Sequence, residues 1–255
     1  MAPSALEKIL RRDRLVIALI LGALTVASWA QMVSANEGPS GERGLMPCCG
    51  ARFSVAYSMW VVMMGGMMIP SVAPMVLTHA GIMRRRAAHG APFVSSSLFF
   101  LGYLVAWSAF SAVAASAQCA LYRTSFLDGH SLSIGPWAGA AVLLAAAVFQ
   151  FSPAKDACLS QCRAPVGYFM TEWRDGQLGA VIMGLRHGVF CIGCCWLLMT
   201  VLFAVGIMNI LWGAVITAFV LAEKVMPWRR AVVWSGGAVC LAGAAALVCR
   251  AVVTT

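Results

Sequence analysis

Within nine positions the chain places His187, Cys191, Cys194 and Cys195, side chains whose imidazole nitrogen and sulfur atoms suit a soft or borderline metal ion. At 3.6 residues per turn, offsets of four, three and four put His187, Cys191 and either Cys194 or Cys195 on one helical stripe, so one helix can supply three ligands. Thiolates inside lipid need a compensating positive charge, which a bound ion provides. Cysteine also packs as a small apolar residue, and histidine can hydrogen-bond a neighbouring helix. Three cysteines and a histidine within two and a half turns of an apolar segment favour a metal or redox role, because polar groups at that depth are costly.

A second run, Met59 to Met75, carries Met59, Met63 and Met67 at four-residue spacing with Met64 and Met68 beside them. Thioethers bind copper(I) and hold hard ions poorly, so this ridge favours copper over zinc, although methionine also fills helix interfaces. Gly65 and Gly66 allow another helix to approach closely, and Pro70 and Pro74 remove backbone bonds. Both runs start about 10 to 20 Å from their helix ends at 1.5 Å per residue, so the two sets are expected to meet near mid-membrane. Cys158 and Cys162 form a Cys-x-x-x-Cys pair on one helical turn, with Lys155 and Arg163 nearby to lower the thiol pKa values.

Other polar residues carry less. His79, His89 and His130 read as solvated or lipid-facing residues at membrane borders, and Asp128 with His130 on the outer loop could form an uptake site, but two residues make no pattern. Cys240 and Cys249 read as packing residues, Glu223 and Lys224 as a local pair or snorkelling side chains. Cys48 and Cys49 fall on an outer loop, open to oxidation or to a partner. There is no phosphate-binding loop and no phosphorylatable Asp-Lys-Thr-Gly motif, so the parts of an ATP-driven pump are missing.

The elements that must position these groups follow from composition. Of 255 residues, 61% are hydrophobic and 11% charged, and the mean hydropathy is +0.85, which excludes a soluble enzyme. Apolar runs at 15–33, 54–79, 92–117, 135–151, 178–205, 208–221 and 231–249 predict an all-α, polytopic transmembrane bundle of seven helices. The count falls to six if the short fourth or sixth does not span, and only Gly206 and Asn209 punctuate the fifth and sixth. The first run is long enough to be a retained anchor rather than a cleaved signal.

With the N-terminus cytoplasmic, 14 of the 18 Lys and Arg residues fall inside and only Arg43, Arg52, Arg123 and Arg250 outside, as the positive-inside rule asks. The net charge of +9 therefore marks topology and not a nucleic-acid partner. Three regions are expected: an N-terminal helix and outer loop at 1–53, a metal-binding core at 54–224 and a C-terminal helix at 225–255. The connecting loops are too short to fold separately.

The run Met59 to Pro74, followed by Lys155 to Pro165, His187-Gly188, Cys191 to Met199 and Glu223-Lys224, resembles a bacterial family of predicted metal-binding integral membrane proteins, sometimes labelled copper chaperone. The resemblance covers about 54–224, with several motifs in the same order, and Gly65-Gly66 departs from it where alanine is expected. It implies membrane metal binding, of copper above all, and supplies no mechanism; the expected protein is a multi-pass one of the bacterial inner membrane, with a metal ion, the lipid bilayer and a metallochaperone or membrane complex as partners. The leading expectation is copper(I) binding, transfer or transport, with zinc as the other ion. His187, Cys191, Cys194 and Cys195 are the ligands, Met63, Met64, Met67 and Met68 softer supplementary ligands, and Cys158 with Cys162 a cytoplasmic relay. A thiol-disulfide electron relay and an accessory subunit of a membrane metalloenzyme are the alternatives, and no catalytic residue is assigned.

Overall fold

Long apolar runs leave the backbone no water to bond with, so each satisfies its own N–H and C=O groups as a helix. The computed structural model describes residues 5–37, 51–90, 92–127, 133–207 and 209–254, and side chains within these from 14 to 35 and from 53 to 253. Cys48, Cys49, Asp128 and His130 lie outside the described residues. Among the described residues nine helices follow in order: α1 (Ala5–Glu37), α2 (Ala51–Ala88), α3 (Ser96–Arg123), α4 (Pro136–Gln150), α5 (Pro153–Arg163), α6 (Pro165–Glu172), α7 (Gly176–Val205), α8 (Ile210–Val225) and α9 (Arg229–Thr254). Among the described residues the only β pairing is an isolated antiparallel bridge between Leu127 and Ile134.

The fold is all-α, as expected. Among the described residues five helices are long and apolar enough to cross a membrane: α1, α2, α3, α7 and α9; α4 and α5, bent by 66° at their junction, make a sixth if taken together. With 15 and 16 residues, α4 and α8 reach only about 22 to 24 Å, short of a hydrocarbon core of about 30 Å. The segment between α4 and α7, expected as a loop, is instead folded as α5 and α6.

Local signals set the boundaries. Ser95 caps α3 and Ser152 caps α5, whose first residue is Pro153. The weak punctuation after α7 suffices: Gly206 takes φ +101° to end it, and the Asn209 side chain accepts the Trp212 N–H at 3.2 Å to start α8.

The most extensive packing joins α3 to α7, and α4 to α9, with α1 on α2 and α2 on α3 next. Without a hydrophobic force between helices in lipid, close backbone approach becomes the means of association. A Cβ added at Gly102 would overlap the Val181 carbonyl, and one at Gly184 the Phe99 carbonyl. Gly188 continues that Gly-x-x-x-Gly face. On the far side of α2, Gly66 lets α1 come close, its added Cβ meeting Ser28 Cβ at 3.1 Å. Pro70 removes the N–H that would bond the Gly66 carbonyl, and the Trp29 indole N–H donates to that oxygen at 3.1 Å instead. The glycine pair thus serves the α1 contact, and α2 continues through both prolines. The outward side chains of α1 (Leu15 60%, Leu19 62% and Val26 68% exposed) form an apolar surface suited to lipid.

A candidate intramembrane sulfur site

Along α7 the buried face reads Met183, Gly184, His187, Gly188, Cys191, Cys194, Cys195, Leu198. The expected stripe is thus turned into the bundle, and Cys194 and Cys195 both face it. Their thiols donate back to the Cys191 carbonyl, each at 3.0 Å. Cys191 Sγ is met by side chains from three other helices, α3, α5 and α8. It accepts from Lys224 Nζ of α8 at 3.0 Å and lies 3.3 Å from the Tyr103 hydroxyl of α3. Lys224 Nζ also donates to Ser71 Oγ of α2 at 3.0 Å, and both Ser71 and Tyr103 donate to the Met68 carbonyl, at 2.9 and 3.2 Å.

From α5, Cys162 reaches hydrogen-bonding range of Cys191 and Cys194. Cys158, half-buried, packs over Gly193, where an added Cβ would stand 2.9 Å from its sulfur. Sulfur atoms from α5 and α7 therefore share one pocket, with an ammonium among them. Among the described residues no three His, Cys, Asp or Glu side chains already converge as an ion would require. In donor chemistry, however, thiols beside a buried cation fit a soft monovalent ion better than a hard one.

The methionines meet this cluster differently from the direct contact expected. Met63, Met64, Met67 and Met68 are all buried. Met68 joins the cluster through its backbone oxygen, while Met64 and Met68 line a cavity of about 130 Å³ between α2 and α3, beside Tyr103, Trp107 and Ser111. Met63 and Met67 do not line it. His187 stands in an aromatic cage, with ring centroids 5.3 Å from Tyr168, 5.9 Å from Tyr103 and 6.1 Å from Phe99, and its Nδ1 is buried without a partner. Tyr168 on α6 donates to the Met183 carbonyl at 2.6 Å, and burial pushes its hydroxyl pKa up, so it stays a donor.

Several sequence expectations need correction. Glu223 and Lys224 neither pair with each other nor snorkel: they are 1% and 8% exposed. Glu223 instead binds Lys155 Nζ at 2.7 and 2.9 Å, and the Gln150 amide donates to the same carboxylate at 3.1 Å. Lys155 also donates to the Gln150 oxygen. Arg163 donates to the carbonyls of Glu223 and Met226, the latter at 2.6 Å. Lys155 and Arg163 are therefore spent on α4 and α8, and it is Lys224 that faces a thiol.

His79 is fully buried rather than at a lipid border, because α6 and its flank cover it: it stacks on Phe99 and Trp173, with the Phe169 ring tilted against it. His89 is exposed, as expected, and Cys240 is buried, but Cys249 is exposed rather than packed. Tyr103 and Ser71 were missed altogether. A tyrosine in an apolar helix was the available signal for the first.

No curated protein and no solved structure is matched by the chain. The sequence model of one family, described as PpoB2, copper chaperone, matches residues 57–247. That stretch runs from α2 into α9 and contains every group of the sulfur pocket. The chain belongs to the PpoB2 copper chaperone family.

Proposed function

We propose that this protein is a multi-pass copper(I) carrier of the bacterial inner membrane, which accepts the ion as cargo in the sulfur pocket and passes it on. The observation that carries this reading is the Lys224 ammonium 3.0 Å from Cys191 Sγ, deep among other thiols. A buried thiolate needs a positive neighbour, and here the chain supplies its own. Copper(I) takes that position by offering sulfur a stronger bond than an ammonium can, and Lys224 keeps Ser71 as an alternative acceptor.

In this reading Cys191, Cys194, Cys195 and Cys162 are the principal ligands. His187 closes the site from the adjoining turn, Cys158 is the relay at its edge, and Met63, Met64, Met67 and Met68 are supplementary ligands. The metal-handling core is 54–224, between an N-terminal region at 1–53 and a C-terminal one at 225–255. Seven spans with the N-terminus inside remain the topology we favour, because of the 14 to 4 distribution of basic residues; α4 and α8 then cross a locally thinned bilayer or one shielded by neighbouring helices. A soluble metallochaperone or a membrane complex is the partner that such a carrier requires.

The deciding experiment is anaerobic copper(I) loading of the purified protein under reducing conditions, with metal analysis of wild type beside Cys191→Ser and His187→Ala. Copper retained by wild type and lost from Cys191→Ser is the expected result. No copper above background defeats the proposal, and zinc alone co-purifying reassigns the ion. A thiol-disulfide relay is the second reading, favoured by Cys162 lying within hydrogen-bonding range of Cys191 and Cys194. A disulfide trapped between α5 and α7 by mild oxidant, together with no copper binding, would select it.

A further inference from the structure

Away from the sulfur pocket, the arginine-rich end of α2 faces the start of α7 across a cavity of about 230 Å³. His79, Met83 and Met183 line it, and all three are buried, at 0%, 4% and 1% exposure. His79 Nδ1 is taken by Ser96 Oγ at 2.9 Å, while its Nε2 is buried and has no partner. Buried polar nitrogens without a partner are uncommon, and one on the wall of a cavity is suited to a ligand. Met183 is held in place because its sulfur accepts the Arg174 backbone N–H at 3.3 Å. On α2, His79 and Met83 are one turn apart and share a face.

The geometry points to a second soft-cation station, formed by His79, Met83 and Met183 at the arginine-rich end of the bundle. Imidazole and thioether are neutral, polarisable donors that suit copper(I). Without thiolate charge they hold it more weakly than the cysteines do, which fits a place of passage. The carboxylate at the mouth is not a competing ligand: Asp175 is engaged by Arg86 at 2.7 Å and by the Trp173 indole N–H at 2.9 Å. Arg86 also lies over the Trp173 ring, 4.8 Å from its centroid, and Arg174 is exposed, so its charge is screened by water.

The station connects to the pocket already described. Met183, His187, Cys191 and Cys195 follow at four-residue intervals on the buried face of α7, about 6 Å apart along the axis. Across the bundle, Phe99 stacks between the two histidines, 5.3 Å from His79 and 6.1 Å from His187, and each imidazole has one unpartnered nitrogen. Soft donors thus run in series from the cavity to Cys191. The inference rests on the proposed function only for the identity of the ion, since none of its three ligands belongs to the sulfur pocket.

The test uses copper(I) alone, titrated anaerobically into the full-length protein in detergent against a coloured copper(I) chelator. Wild type should lose one equivalent when His79→Gln is introduced, and likewise with Met83→Leu and Met183→Leu together, which keep the packing volume. In a background with Cys158, Cys162, Cys191, Cys194 and Cys195 all changed to Ser, one weak equivalent should remain. X-ray absorption should show it bound by nitrogen and thioether sulfur, and it should vanish with His79→Gln. Unchanged stoichiometry in both station variants, each shown folded by an unshifted melting temperature, overturns the inference. A His79-dependent equivalent with no thiol-dependent one supports the station and defeats the sulfur pocket instead.

Discussion

Glu223 and Lys224 are neighbours on α8, yet they serve two polar clusters of opposite character. Around Glu223, Lys155 and Gln150 close a ring of hydrogen bonds in which the carboxylate, ammonium and amide all have partners. Around Lys224 the partners are a thiol, a serine and, beyond them, more thiols and a caged histidine with an unpartnered nitrogen. The first cluster is hard, directional and complete. The second is soft and incomplete, and a group left open in a low-dielectric interior is where a ligand gains most. The difference gives the first cluster the fixation of α4, α5 and α8 and, in the proposed reading, leaves cargo to the second.

Removing one member of the hard cluster should produce the largest effect. Glu223→Ala leaves the Lys155 ammonium buried without its counter-charge and should cost about 3 to 5 kcal/mol, read as a fall in the denaturation midpoint in detergent. Lys155→Met combined with Glu223→Leu should recover most of that loss. If the single change is silent, the fixation role is lost.

The soft cluster should respond in the other observable. Cys191→Ser should weaken copper(I) retention by more than about tenfold while shifting the melting temperature little, in a chelator competition run beside a thermal scan. Equal effects on both would erase the contrast between the clusters. Tyr103→Phe deletes a hydroxyl that bonds Met68 O and touches Cys191, and should cost about 1 kcal/mol of stability.

The smallest effect is expected where charge is exposed. The Trp173 indole N–H and the Arg86 guanidinium hold the Asp175 carboxyl below its usual range. That contribution is present above the ordinary carboxylate pKa and is lost as pH falls through the lowered value. Water screens it, so Asp175→Asn should leave the melting temperature unchanged within error.

What the sequence disclosed was local. His187, Cys191, Cys194 and Cys195 were legible because residue type and a 3.6-residue period suffice to place them on one face of α7. The α5 helix under Cys158 and Cys162 was half legible: its turn was foreseen, its packing on α7 was not. Lys155 and Glu223 are 68 residues apart, and no spacing rule pairs them. Reading Glu223 with Lys224 failed for a geometric reason, since adjacent residues on a helix point about 100° apart and do not face each other. His79 was misread because its cover comes from α6 and Trp173, in a segment that looked like loop.

The glycine seam between α3 and α7 has one last consequence. Where the backbone of one helix touches that of the next, neither can slide or rotate without a carbonyl striking an α-carbon, so Tyr103 and Cys191 are fixed relative to each other. The opposite wall, the eleven-residue α5, is held instead by side chains, through Lys155, Asp156 and Arg163. One wall of the pocket is thus set by backbone against backbone and the other by side-chain ion pairs and hydrogen bonds, so in the proposed reading any adjustment to cargo falls to the second.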